Sequence, residues 1–193
     1  AFERQAKPWG MDGIPENFAF DQLPDDWDHF MPVLEEAMKR LPALEQAGIQ
    51  TFFNGPESFT PDTTYYLGEA PEMTNFFVAA GFNSVGIQSA GGAGKVLADW
   101  IVDGHASMDL WDVDIRRVMP FQANTTYLRE RTSEALGLLF DMHWPFRQKE
   151  SARGVRTSPL HDRLAALGAC FGEACGWERP NWFAPDGVTP EYE

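Results

Sequence analysis

Cysteine is almost missing from this chain, with only Cys170 and Cys175 among 193 residues. That excludes a disulfide scaffold, and the spacing of the two would part them around a helix, so no bond between them is expected. A reducing compartment, the cytoplasm or a mitochondrial matrix, suits such a composition. No further Cys lies near a His, which rules against a thiolate zinc site. Cations are short as well: 15 Lys and Arg stand against 29 Asp and Glu, for a formal charge of −14. Neutralising phosphates takes clustered Lys and Arg, so DNA, RNA and anionic membranes are poor partners. No apolar run approaches the roughly 20 residues of a membrane span. The histidines are His29, His105, His143 and His161. Asp141 with His143, and His161 with Asp162, lack a third partner at ligand spacing, and no Ser-His-Asp or Cys-His nucleophile can be assembled.

What the chain does have is enough apolar matter for a core. Hydrophobic residues make up 44% and charged ones 23%, ordinary globular values. Trp27, Phe30, Met31, Leu34, Met38 and Leu41 repeat at three and four, predicting an amphipathic helix between Leu23 and Gly48. Asp25 or Asp26 would cap it, and Pro42 would restart a short turn that Gly48 closes. "IQTFFNG", residues 49–55, reads as a strand, as does Tyr65–Leu67. The apolar run Met73–Ala80 reads as a strand covered on both faces. Beyond Gly104, "MDLWDVDIRRVMPF" is a strand or an extended connection. A helix capped by Asn124 or Thr125 follows, with Leu128, Thr132, Ala135, Leu139 and Met142 on one side and Pro145 as its stop. A second helix is predicted over "SPLHDRLAALGACFGEACGW", with Ser158 as cap and Leu160, Leu164, Leu167 and Phe171 buried. The class is α+β, with a boundary near Gly104 to Met108.

The most informative stretch is "FFVAAGFNSVGIQSAGGAGKVLADWIVDG", Phe76 to Gly104. A strand over Phe76–Ala80 runs into Gly81-Phe82-Asn83-Ser84-Val85-Gly86, and a helix follows from near Ile87 until Asp103-Gly104 stops it. Such a loop aims backbone N–H groups and the positive end of a helix at one point, an anion or oxyanion site. Neither common nucleotide fingerprint fits. Gly94-Lys95 is followed by Val96 where a Walker A loop needs Ser or Thr, and Gly92-x-Gly94 meets Leu97 where the dinucleotide pattern needs its last glycine. A second cluster, Gly91, Gly92 and Gly94, lies inside the helix, where each Gly costs about 0.5–1 kcal/mol relative to Ala. A helix keeps such residues when another backbone or a flat ligand comes very close. Two readings stay open from the pattern alone. One is tight helix-on-sheet packing without a ligand; the other is a ligand at the first cluster and packing at the second.

"NGPESFTPD" and "LGEAPEMTNFFVAAGFNSVGIQSAGGAGKVLADWI" strongly resemble the carboxy-terminal part of the flavin domain in the dimethylglycine and sarcosine dehydrogenase family. These are amine-oxidising FAD enzymes of the D-amino-acid-oxidase superfamily. The likeness extends to "KPWGMDGIPENF", "LPDDWDHFMPVLEEAMKRLPALEQAGI", "MDLWDVDIRR", "TTYLRERTSEALGLLFDMHWP", "SPLHDRLAALGACFGE" and "GWERPNWFAP", covering nearly the whole chain in order.

The resemblance implies that residues 1–104 are the last part of a D-amino-acid-oxidase-like FAD domain and residues 105–193 a smaller helical and extended connecting domain. It implies that Gly81, Phe82, Asn83, Ser84, Val85, Gly86 and Ile87 lie against FAD, with the helix end toward the pyrimidine side of the flavin. Two-electron reduction places negative charge there, which backbone N–H groups and a helix dipole stabilise. Phe82 and Asn83 would shape the pocket, and Asn83 or Ser84 would donate to a flavin or ribityl oxygen. No catalytic acid or base and no metal ligand is carried over to this chain. The implied reaction moves a hydride equivalent from the N-methyl carbon of sarcosine or dimethylglycine to flavin, and the iminium yields formaldehyde or passes to folate. The start at Ala1 and the end at "GVTPEYE" read as cuts, so a piece of a longer protein is expected. Its partners would be an upstream FAD-pyrophosphate half, a downstream tetrahydrofolate-binding domain, and a second copy over any open sheet edge. The family also includes a phosphatase regulatory subunit that keeps the fold without the chemistry, so a non-catalytic relative is the rival reading. One departure is Thr63, where relatives commonly carry Gly.

Overall fold

Residues 7–140, 147–174 and 176–191 are described by the computed structural model of this chain. They divide into two compact units, Trp9–Glu57 and a second that joins the residues up to Pro8 to those from Ser58 onward. Met142, His143, Pro145 and Cys175, on which some sequence expectations fall, lie outside the described residues.

In the first unit, helix α1 spans Trp27–Arg40, and Asp26 caps it by accepting from His29 N–H at 3.2 Å. A short 3-10 helix, Pro42–Gln46, follows and ends on Ala47 in extended conformation, so Gly48 is not the left-handed cap expected of it. The predicted strand at 49–55 does not form. Its β-prone residues find no partner strand and are pinned by side chains instead. Phe52 stacks on Trp27 (4.1 Å between ring centres) and meets Phe30 edge-on, while Asn54 Nδ2 donates to Pro24 O at 2.6 Å. A strand propensity is a preference for a pleated, half-buried surface, and it lapses where no neighbour supplies one.

The second unit is built on two antiparallel hairpins. Strands β1 (Tyr66–Glu69) and β2 (Phe77–Ala80) pair in one; β3 (Ala169–Ala174) and β4 (Trp177–Phe183) pair in the other. Strand β2 is shorter than the apolar run Met73–Ala80. Its first part is used in a turn in which Asn75 takes φ +62°, and Ala79 and Ala80 are exposed, so the strand is not covered on both faces. Helix α2, Gly86–Asp103, ends on left-handed Gly104 as read. Trp100, 6% exposed, fixes it to the sheet: a Cβ on Gly68 (φ +117°) would lie 2.7 Å from its ring, and Phe77 meets it edge-on. The outer edge of β1 is covered by the chain beyond Gly104, where Leu67 N–H donates to Val113 O at 2.8 Å. That connection runs through turns and the 3-10 helices Ile115–Arg117 and Pro120–Ala123, not a regular strand.

Helix α3, Thr125–Phe140, is capped by Asn124, whose Oδ1 accepts from Thr126 and Tyr127 N–H. Its buried face is led by Arg131, Ser133 and Ala135, and Leu139 is exposed. The long helix predicted from Ser158 shrinks to α4, His161–Ala166. Left-handed Gly168 stops it, and a Cβ there would lie 2.7 Å from Ala184 O. The following residues then pair as β3 with β4 in place of continuing the helix. Leu160 and Leu167, expected to be buried, are exposed, while Cys170 is buried in β3. Among the described residues no helix is long and apolar enough to cross a membrane.

Candidate cofactor-binding loop

Between β2 and α2 the backbone turns through an unusual run of left-handed residues: Gly81 at φ +66°, Asn83 at +48° and Ser84 at +64°. Glycine takes this region freely; for other residues it costs roughly 1–2 kcal/mol, somewhat less for Asn. Asn83 holds the turn in place. Its side chain, 2% exposed, accepts from Thr60 N–H at 2.8 Å and donates to Thr60 Oγ1 at 3.2 Å and to Gly81 O. Gly81 is forced by contact as well as by φ, since a Cβ would come within 2.5 Å of Thr60 Cγ2. Phe82 stacks on Tyr65 with ring centres 4.7 Å apart and 16° between planes.

Val85 precedes the first turn of α2 and makes no side-chain cap bond; that turn contains no acidic residue. Ser84 and Ile87 are exposed there. Gly86 has ordinary backbone, and a Cβ on it would make an unstrained 3.4 Å contact with Phe82 Cβ. The seven residues read as cofactor contacts are thus one continuous turn, with Asn83 committed inward and Ser84 outward. The N–H groups of a helix end, with no acidic residue in the first turn, fit a group that gathers negative charge.

Behind the loop lies a frame that local sequence patterns did not disclose. The single Thr60 O–H has three acceptors within reach, Thr64 O at 3.0 Å, Asp62 Oδ1 at 3.1 Å and Asn83 Oδ1 at 3.3 Å. Arg117 grips Asp62 with two bonds, Nε to Oδ2 at 2.8 Å and Nη2 to Oδ1 at 3.1 Å, and also donates to Tyr65 O at 3.2 Å. Burial pushes the Asp62 carboxyl up, but the Arg117 bonds and charge, with Thr64 N–H and the Thr60 hydroxyl, hold it below its ordinary 3.8. The Arg117 guanidinium also lies 4.7 Å over the Tyr66 ring. Burial, reinforced by the Asp62 charge, pushes the Tyr66 phenol up to about 12. Thr63 takes φ +60°, so the turn keeps a glycine-like backbone without glycine. The sequence signal that could have found Asp62 is "FTPD"; Arg117 had none, because its partner is 55 residues away.

A second polar network supports the connecting segment. Arg131, 2% exposed, contacts Glu173 Oε2 at 2.5 Å and Ser151 Oγ at 3.1 Å. Lys149 Nζ donates to Pro61 O at 3.3 Å, and burial pulls its ammonium below the ordinary 10.5. His161 stacks on Phe171 at 4.3 Å. Among the described residues no group of three or more His, Cys, Asp and Glu is placed to hold a metal. The interior glycines of α2 contrast with the loop: among the described residues outside the helix itself, nothing lies within 4 Å of a Cβ on Gly91, Gly92 or Gly94.

Residues 9–100 match the family model for FAD dependent oxidoreductase, and residues 103–158 match that for the FAD dependent oxidoreductase central domain. The chain belongs to the FAD-dependent oxidoreductase family. It is 48% identical over 193 residues to the 4-methylaminobutanoate oxidase (formaldehyde-forming) of Paenarthrobacter nicotinovorans, covering all of this chain and 23% of that protein. It is 42% identical over 184 residues to the mitochondrial pyruvate dehydrogenase phosphatase regulatory subunit of Mus musculus, 95% of this chain and 21% of the relative. Mitochondrial sarcosine dehydrogenase of Mus musculus is 41% identical over 182 residues, 94% of this chain and 20% of the relative. The chain therefore spans about a fifth of the length of the curated relatives it matches.

Proposed function

We propose that this chain is part of an FAD-dependent oxidoreductase that oxidatively demethylates an N-methylated amino acid, and that Gly81–Ile87 contact the cofactor. The observation that carries the reading is the amino end of α2, whose first turn holds no acidic residue, reached through a turn that the buried Asn83 holds open. When bound, FAD would accept the hydride equivalent from the substrate. The work of this chain is to hold N–H dipoles toward the developing negative charge and keep them rigid, so that no reorganisation is needed as the charge arrives. No proton transfer is assigned to a residue here. Sarcosine and dimethylglycine are the substrates we infer, and the identity to a 4-methylaminobutanoate oxidase adds that amine as a third. The division into residues 1–104 and 105–193 draws support from two family matches that meet between residues 100 and 103. Tetrahydrofolate at a further domain, an FAD-pyrophosphate half and a reducing cytoplasm or mitochondrial matrix complete the reading.

A second reading, a non-catalytic regulatory protein, is favoured by the identity to a phosphatase regulatory subunit. Titration of the full-length protein with FAD, followed by anaerobic addition of the three amines, separates the two. Flavin bleaching by one amine is the expected result, and binding without bleaching by any would favour the regulator. A Gly86→Val variant tests the loop itself. The added Cβ makes only an ordinary contact with Phe82 and valine has a better helix propensity than glycine, so the fold should survive while FAD affinity falls about tenfold or more, one displaced contact of about 1.4 kcal/mol. Unchanged affinity would remove Gly86 from the site.

A further inference from the structure

The frame behind the loop is continuous from end to end. Arg117 holds Asp62 by two bonds; Asp62 Oδ1 is 3.1 Å from the Thr60 hydroxyl; Thr60 Oγ1 and N–H both bond the amide of Asn83; and Asn83 carries the left-handed backbone of the loop. Thr60, Asn83 and Asp114 beside Arg117 are all buried, and the Arg117 side chain is 14% exposed. Arg117 itself comes from the stretch matched by the central-domain model, whereas the loop comes from the stretch matched by the FAD-dependent oxidoreductase model. A side chain in one segment thereby braces a turn in the other.

We propose that Arg117 is a positioning residue for the cofactor loop, acting through Asp62, Thr60 and Asn83 to fix the Gly81–Ile87 backbone and so the retention of FAD. This rests on the reading of that loop as the cofactor contact. The physical basis is rigidity. Three left-handed residues in four positions relax once their tether is cut, and a relaxed loop must be ordered again each time the ligand binds. A bidentate guanidinium–carboxylate pair restrains direction as well as distance, which an ammonium cannot do.

The test uses the full-length protein and two independent readouts, deuterium exchange of the peptide spanning 81–87 and the dissociation constant for FAD. Arg117→Met should speed exchange in that peptide and weaken FAD about tenfold, the scale of one hydrogen bond to a charged group; Arg117→Lys should fall between it and the parent. Thr60→Val keeps the ion pair and the methyl against Gly81 but removes the hydroxyl, so it should reproduce both effects, whereas Thr60→Ser, which keeps the hydroxyl, should behave like the parent. The double variant should be no worse than the stronger single one, because both cut the same chain. If Arg117→Met does not fold, Thr60→Val against Thr60→Ser decides. Exchange in 81–87 that is unchanged in Thr60→Val overturns the inference, whatever happens to FAD. Faster exchange with unchanged FAD affinity overturns the assignment of this loop to the cofactor, and with it the claim that Arg117 acts on cofactor retention.

Discussion

Gly81 and Gly92 sit in one strand–loop–helix unit and are kept for opposite reasons. At Gly81 the chain itself excludes a side chain, through a positive φ and a Thr60 methyl 2.5 Å from any Cβ. At Gly92, in the middle of α2, an added Cβ would meet nothing within 4 Å among the described residues outside its own helix. The glycine-rich pattern looks uniform in sequence, yet Gly81 is required by its surroundings and Gly92 is not required by any contact among the described residues.

Four substitutions would break or sharpen that contrast. The largest effect is expected at Gly81→Ala, where left-handed backbone and overpacking combine to cost about 3 kcal/mol; urea unfolding measures it, and a loss under 1 kcal/mol would refute the steric account. Asp62→Asn should cost about 2 kcal/mol, the scale of a hydrogen-bonded charge left without its partner. It should also change the acid limb of stability. Because folding holds the Asp62 carboxyl below 3.8, its contribution is complete above that value and fades as pH falls through the lower folded value. The parent chain should therefore lose more stability than Asp62→Asn on acidification below pH 3.8, and equal acid slopes in the two proteins would contradict the pairing. Gly92→Ala should stabilise this chain by about 0.5–1 kcal/mol, since a helix gains what the glycine cost. The same change in the full-length protein sharpens the comparison: a loss there would reveal a covering surface. The smallest effect is expected at Thr63→Gly, a gain of about 0.5 kcal/mol, as relief of left-handed strain slightly exceeds the added freedom of the unfolded chain. Thermal melting that moves downward would show that Thr63 is held there by contacts worth more than its strain.

The parts of the fold that could be read from sequence are those whose signals are local. Helix α2 stops at Gly104 because a left-handed cap needs no distant partner, and α1 begins at Asp26 for the same kind of reason. The position of the candidate loop was legible too, since Gly81 and the strand before it lie side by side. What failed depended on distant partners. Residues 49–55 have strand-like composition but no neighbouring strand, and residues 169–174, read as a continuation of the helix expected from Ser158, pair with β4 after Gly168 breaks a helix that starts only at His161. In α3 the apolar stripe misled because a charged residue, Arg131, found enough acceptors to be buried. For the loop, its frame was invisible: "DIRR" carries no local sign that its second arginine closes on "FTPD".

The reach of Arg117 back to Asp62 also sets an order of events during synthesis. The two are separated by 55 residues, and a ribosome adding about 5–20 residues per second takes roughly 3–11 s to cover that distance. For the later part of that interval the glycine-rich turn has been made without its brace, and the outer edge of β1 waits for Val113 to arrive. The nascent chain thus passes through a timed window in which an adhesive strand edge is bare, and it closes only when the connecting segment has been made.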